Sequence, residues 1–153
     1  MVGHDCGHGT FSDYPVVNQL VGHACHAVLL VPFNGWKKSH KLHHLHHNDA
    51  DHDHSWRPFS RSEFEETPWL PARILRFTPW AMPLLYPLYL IHESNGVGFS
   101  GNHFNPWSQM FAKRERVGAF ASAASVGIFV AALAVFVGRV HGWSFLFQTY
   151  GLP

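Results

Sequence analysis

Residues Ser39 to His54 read SHKLHHLHHNDADHDH and place seven histidines and three aspartates in sixteen positions. A neutral imidazole nitrogen is the commonest protein metal ligand. Carboxylates set among such rings either bind metal themselves or orient an imidazole by accepting its other N–H. On a helix, His40, His43 and His44 stand at i, i+3 and i+4, so one face carries three rings. A second group, His4 and His8 in MVGHDCGHGT, has the i, i+4 spacing. A tag or a floppy histidine tract would show neither the interleaved Lys41 and Leu42 nor the second pair.

Together the His-x-x-x-His and His-x-x-His-His groups bring at least five imidazoles. A structural zinc takes four ligands, often thiolates. Five or more nitrogen donors suit more than one metal, or a metal with open positions. Imidazoles alone do not choose among zinc, copper, iron and nickel. Zinc-protease chemistry is disfavoured, because Asp5 stands where the His-Glu-x-x-His motif has its glutamate and no third ligand follows His8 at the usual distance.

The elements that must position these groups read as helices in a membrane setting. Hydrophobic residues make up 46% of the 153 and charged residues only 14%, against about a quarter charged in a soluble domain. A net charge of +1 gives no basic field for nucleic acid. Val117 to Gly138 runs 22 residues without a charge. As a helix it extends about 33 Å, against a hydrocarbon core of about 30 Å. Lys113, Arg114 and Arg116 precede it and only Arg139 follows, which puts its start in the cytosol. The histidine boxes are expected on that same side. Phe77 to Ile91, uncharged but carrying Pro79, Pro83 and Pro87, is therefore expected to lie at the interface or re-enter rather than cross.

Pro15 to Phe33 is apolar but too polar for a clean span, with Asn18, Gln19, His23 and His26. Its two histidines read as ordinary hydrogen-bonded side chains. Pro32 and Gly35 are expected to end it, and Trp36, Lys37 and Lys38 to form an interface anchor. Gly3 and Gly7, four apart in the first group, suit close approach of a neighbouring helix. A short helix is expected near Ser62 to Glu66, and a loop over His92 to Arg116, where His92 and His103 stand outside the ligand set. Cys6 and Cys25 are expected to be reduced and buried. The N-terminus lacks the basic and apolar regions of a signal peptide. It opens almost on a histidine box, so the chain is expected to start in mid-domain.

HDCGHGTFSDY, GHACHAVLLVPFNGWKKSHKLHH and DHDHSWRP resemble the first two histidine boxes of membrane fatty acid desaturases, most closely the omega-6/omega-3 acyl-lipid class. GNHFNPWSQMFAKRER and TYGLP resemble that family's segments before its third and fourth membrane helices. The resemblance implies an all-α integral membrane fold and a centre of two iron ions that uses O2 to place a cis double bond in the acyl chains of membrane lipids. It implies His4 and His8 as the first box, and His40, His43 and His44 as the second. His43, His46 and His47 form an alternative register, and His46 and His47 remain possible extra ligands. Asp5 would orient a first-box imidazole. Cytochrome b5 or ferredoxin would supply electrons at the endoplasmic reticulum or a plastid membrane. The family's third box is absent from these residues, so the polypeptide alone is expected to be inactive. A related di-iron lipid hydroxylase would use the same ligands. A non-enzymatic, histidine-rich membrane metal-binding protein would want polar residues in the span, which offers only Ser122 and Ser125.

Overall fold

A computed structural model describes residues 1–49, 52–53, 60–66, 82–92 and 101–151. Among them there is helix and turn but no strand. Helix α1 (Val2–His8) is closed by Gly9, whose left-handed φ of 74° lets the Gly9 and Thr10 amides reach back to Cys6 and Asp5 carbonyls. The glycine reading holds for Gly3, where an added Cβ would come within 2.9 Å of the His26 ring on the neighbouring helix.

Helix α2 (Pro15–Val28) begins on a proline, whose missing N–H costs nothing at that position. Asn18 fastens its start by donating to the Ser12 carbonyl at 2.7 Å and accepting the Ser12 amide. Its end is abrupt. Leu30 takes a left-handed φ of 57°, and Pro32 has no amide with which to continue. Helix α3 (Phe33–Leu45) then leaves at 99° to α2. Pro32 thus breaks the chain as expected, but Gly35 does not. It sits inside α3 because the backbone of His103 presses on it, and an added Cβ would meet the His103 carbonyl oxygen at 2.6 Å.

Helix α4 (Arg61–Glu66) is short and polar, where a short helix was expected. Helix α5 (Met82–Ile91) keeps Pro87 within it; residues 77–81 of the expected interfacial segment lie outside the described residues. The Leu90 carbonyl accepts the His103 amide at 2.8 Å, and the Tyr89 ring lies 5.0 Å from the fully buried His103 ring. His103 is therefore a packed residue rather than a solvated one.

Helix α6 (Arg116–Ala132) continues through wider turns over Leu133–Gly138 to His141, and with the turn at Lys113–Glu115 forms one apolar rod of 29 residues. It is long and apolar enough to cross a membrane, and little of it is covered by the rest of the chain. Val117, Phe120, Ile128 and Phe136 face outward, whereas Ala119, Ser122 and Val126 form a buried stripe. Positions i, i+3 and i+7 share one face, and these small side chains let α2 and α3 come close. Among the described residues the fold is thus all helical, with one helix long and apolar enough to span a membrane, as the sequence suggested. After Gly142 (φ 86°) the chain turns back into α7 (Trp143–Leu146), and the Tyr150 hydroxyl donates to the Val28 carbonyl.

Three polar contacts tie α3 to α6. Ser122 Oγ accepts the Asn34 amide at 2.8 Å, which satisfies one of the donors a helix start leaves open. Asn34 Nδ2 donates to the Gly118 carbonyl at 2.9 Å. Lys38 Nζ reaches both oxygens of Glu115, at 2.8 and 3.0 Å.

Candidate metal centre

Helix α1 presents His4 and His8 one turn apart, with ring centroids 4.6 Å apart. Helix α3 presents His40 and His44 in the same way, also at 4.6 Å. The two pairs face each other. Nε2 of His40 lies 3.0 Å from that of His4, 3.1 Å from that of His8 and 3.1 Å from that of His44, and His4 and His8 are 3.3 Å apart. One ligand nitrogen from each ring falls within 4.8 Å of all the others.

These spacings fit a coordination polyhedron. Metal–imidazole bonds of about 2.1 Å put neighbouring nitrogens about 3.0 Å apart at right angles and about 3.4 Å apart in a tetrahedron. Nitrogen lone pairs crowded this closely repel unless protons or a cation lie between them. At His4 the tautomer is set from behind, since Nδ1 donates to Asp5 Oδ1 at 3.1 Å and leaves Nε2 with a free lone pair. Asp5 thus lies against the His4 ring, on the side away from the cluster.

Protonation favours the same use. Burial, then the rings of His44, His4, His8 and His43, pull the His40 pKa from 6.5 to about 4. His8 is lowered too, by burial first and then by His4 and His44. Ligating imidazoles must be neutral.

His43 does not join this cluster. Its Nδ1 donates at 2.7 Å to Asp53 Oδ2, a carboxylate only 3% exposed. Its ring lies 5.7 Å from that of His44 and 5.6 Å from that of His47. The alternative register fares differently again. His46 caps the end of α3 and its ring sits 5.6 Å from His52, and His47 lies in the turn beyond. Neither brings a nitrogen to the four-ring cluster. His23 and His26 are the hydrogen-bonded residues expected, bonding the Gln19 and Gly22 carbonyls through Nδ1. Cys6 and Cys25 are free thiols, Cys6 fully buried and Cys25 partly so.

Trp36, expected as an interface anchor, has a closer role: its indole stacks on His40, at 4.6 Å and 15°, and lies 4.5 Å from His26. The four-residue spacing Trp36–His40–His44 is what puts it there. Gly7 leaves it room, since an added Cβ would come within 2.5 Å of Trp36 Cζ3. Beyond Trp36 and His4 opens a cavity of about 610 Å³, bordered by Val2, Cys25, Leu29, Val31 and Tyr86.

A four-imidazole cluster with carboxylate support at the end of a membrane helix can hold a redox metal, and the whole-chain comparison decides what kind of protein carries it. The family profile described as fatty acid desaturase matches residues 1–153. This chain belongs to the fatty acid desaturase family. It is 40% identical over its full length to the acyl-lipid omega-3 desaturase (cytochrome b5) of the endoplasmic reticulum of Arabidopsis thaliana, covering 39% of that protein. It is 39% identical to the chloroplastic sn-2 acyl-lipid omega-3 desaturase (ferredoxin) of the same plant, covering 33% of it. It is 38% identical to the sn-1 acyl-lipid omega-3 desaturase (ferredoxin) of Synechocystis sp., covering 41% of it. The chain thus spans roughly a third to two fifths of the desaturases it matches. No solved structure gives a significant match.

Proposed function

We propose that this chain is the part of an acyl-lipid omega-3 desaturase that carries the first two histidine boxes, and that His4, His8, His40 and His44 hold one iron of a two-iron centre. The convergence of their four Nε2 atoms within 4.8 Å is the observation that carries this reading. His43, held by Asp53, is assigned to the second iron, with His46 and His47 as further candidates for it. When bound, iron supplies the O2-dependent oxidation of an inert C–H bond that no side chain can perform.

The chain's own residues do the rest. Asp5 and Asp53 hold imidazole N–H groups so that the opposite nitrogens face metal. Trp36 fixes the plane of His40. The apolar cavity beside His4 receives an acyl chain and keeps water from it. Overall, two adjacent methylenes lose two hydrogens. With two electrons and two protons from a separate donor, O2 leaves as two waters. Relatives named for cytochrome b5 or ferredoxin support either as that donor. They also support the endoplasmic reticulum or a plastid membrane as the location, and the Lys113–Arg116 cluster supports boxes on the cytosolic face.

The test uses the full-length protein that carries this chain, expressed in a host lacking omega-3 fatty acids. Wild type should bind iron and yield omega-3 products by mass spectrometry. His4→Ala and His44→Ala should lose both. Iron content and double-bond formation unchanged in these variants would refute the reading, and products retaining an added oxygen would make the protein a hydroxylase.

A further inference from the structure

We infer that the chain carries a second site, a cationic pocket for the phosphate of a membrane lipid headgroup, between α3 and the start of α6. A cavity of about 380 Å³ is lined there by Lys37, Lys38, Lys41 and Arg114, with Asn34 and Phe111 among the remaining walls. The lining contains one carboxylate, Glu115, and Lys38 already holds both its oxygens. No carboxylate among the described residues pairs with Lys37, Lys41 or Arg114. Lys37 Nζ instead lies 6.0 Å over the Phe33 ring. Four cationic side chains therefore surround the cavity against one carboxylate, that of Glu115, which Lys38 holds and whose charge Arg114 also feels.

Position selects the ligand. Arg114 and Glu115 stand at the charged end of the 29-residue apolar rod, and Gly118, one turn into that rod, lines the same cavity. Buried Phe111 gives the pocket an apolar wall. A cavity that is cationic at its rim and reaches the first turn of a span suits an amphipathic anion, whose charge meets Lys41 and Arg114 while its apolar part lies along α6. Lysine and arginine are the side chains that recognise phosphate. Lys37 and Lys41 also border a neighbouring cavity with His8, His40 and His44, so the same charges lie beside the metal cluster. An acidic protein would need only the exposed charges and would leave the recess unused, so the lipid is favoured.

The experiment reads lipid retention rather than turnover, so its failure and failure of the desaturase reading are separable. The metal-loaded, full-length protein is purified in uncharged detergent and titrated with dioleoyl phosphatidate, dioleoylglycerol or inorganic phosphate, and bound lipid is counted by native mass spectrometry. Phosphatidate should be retained and dioleoylglycerol not, and inorganic phosphate should not displace the lipid at equal concentration. Lys41→Gln should weaken phosphatidate about fivefold and the Lys41→Gln/Arg114→Gln pair about 25-fold, while Lys41→Arg restores it. Both side chains are exposed, and a melting curve checks that the variants fold. Unchanged phosphatidate affinity in the pair overturns the site. Equal displacement by inorganic phosphate reassigns it to small anions. Unchanged lipid binding with slowed reduction by a cytochrome or ferredoxin reassigns it to a protein partner.

Discussion

Gly7→Ala isolates what Trp36 does for the metal site. The new methyl would meet Trp36 Cζ3 at 2.5 Å, and ordinary carbon contacts lie at roughly 3.5–4.0 Å. The indole must therefore retreat by about 1 Å. It is stacked on His40, whose Nε2 stands 3.0–3.1 Å from three other imidazole nitrogens. Ligand distances tolerate only about 0.2 Å, so the cluster must open. Two effects then oppose each other in stability. Overpacking costs about 1–3 kcal/mol, and replacing glycine inside a helix regains about 1 kcal/mol. The metal-free protein should melt within about 2 kcal/mol of wild type. Metal affinity, which has no such compensation, should fall about 10- to 100-fold. The assay is a metal titration against a competing chelator, run beside a melting curve and repeated in a Trp36→Ala background. There the three nearest contacts of the methyl, all with Trp36, are gone, and Gly7→Ala should cost no further affinity and stabilise by about 1 kcal/mol. Equal losses of affinity in both backgrounds would refute the argument, since Gly7 would then act without Trp36.

Asp53→Asn should leave the four-ring cluster intact and weaken one metal of a two-metal protein about 10- to 100-fold, read as a change in iron stoichiometry at limiting iron. Loss of both metals together would show that His43 is not a separate arm. Ser122→Ala deprives the Asn34 amide of its acceptor and His23 of a neighbour at 3.2 Å, in a position with no water access. It should destabilise the detergent-solubilised protein by about 1–3 kcal/mol, and an unshifted melting curve would argue against the α3–α6 latch. Glu115→Gln should do less. The Lys38–Glu115 pair is about a third exposed on both sides, and such pairs contribute about 0–1 kcal/mol; a melting shift worth more than about 2 kcal/mol would contradict this.

Much of the helical framework and half of the site geometry were legible in the residues. The i, i+4 spacing of His4 and His8, and of His40 and His44, places each pair on one face, and a 22-residue uncharged run identifies the span. His43 shows where pattern reading stops. Successive residues on a helix lie about 100° apart, so His43 and His44 cannot both point at α1. Which of them turns away is decided by the 2.7 Å bond that His43 Nδ1 donates to Asp53, and nothing in the sequence marks that pairing across ten positions. For Trp36 the sequence reading was incomplete. Tryptophan before two lysines is an interface signal by composition, but its four-residue spacing from His40 also places it against the histidine cluster. Gly35 failed as a helix end because a distant backbone, that of His103, needs its missing side chain.

The break between α2 and α3 gives these details a common cause. A continuous helix from Pro15 to Leu45 would carry the second box along the axis of α2 and away from α1. Pro32 and the left-handed Leu30 turn α3 through 99°, so that the stripe Trp36–His40–His44 faces the stripe His4–His8. The bend alone would leave the height of the cluster relative to the span free. Asn34 fixes it, by docking on Ser122 and Gly118, and Lys38 meets Glu115 one turn later. His40 and His44 then lie about 9–15 Å along α3 from Asn34, at a rise of about 1.5 Å per residue. That places them beyond the Lys38–Glu115 pair, which marks the charged end of the apolar rod. The cluster is thus held on the polar side of that end, while the cavity beside His4 is bordered by Val2 of α1 and by Leu29 and Val31 in the turn after α2. Metal ligands facing polar surroundings, with an apolar recess on their other flank, suit the proposed O2-dependent oxidation of a lipid chain, in which a separate donor on the polar side supplies the electrons.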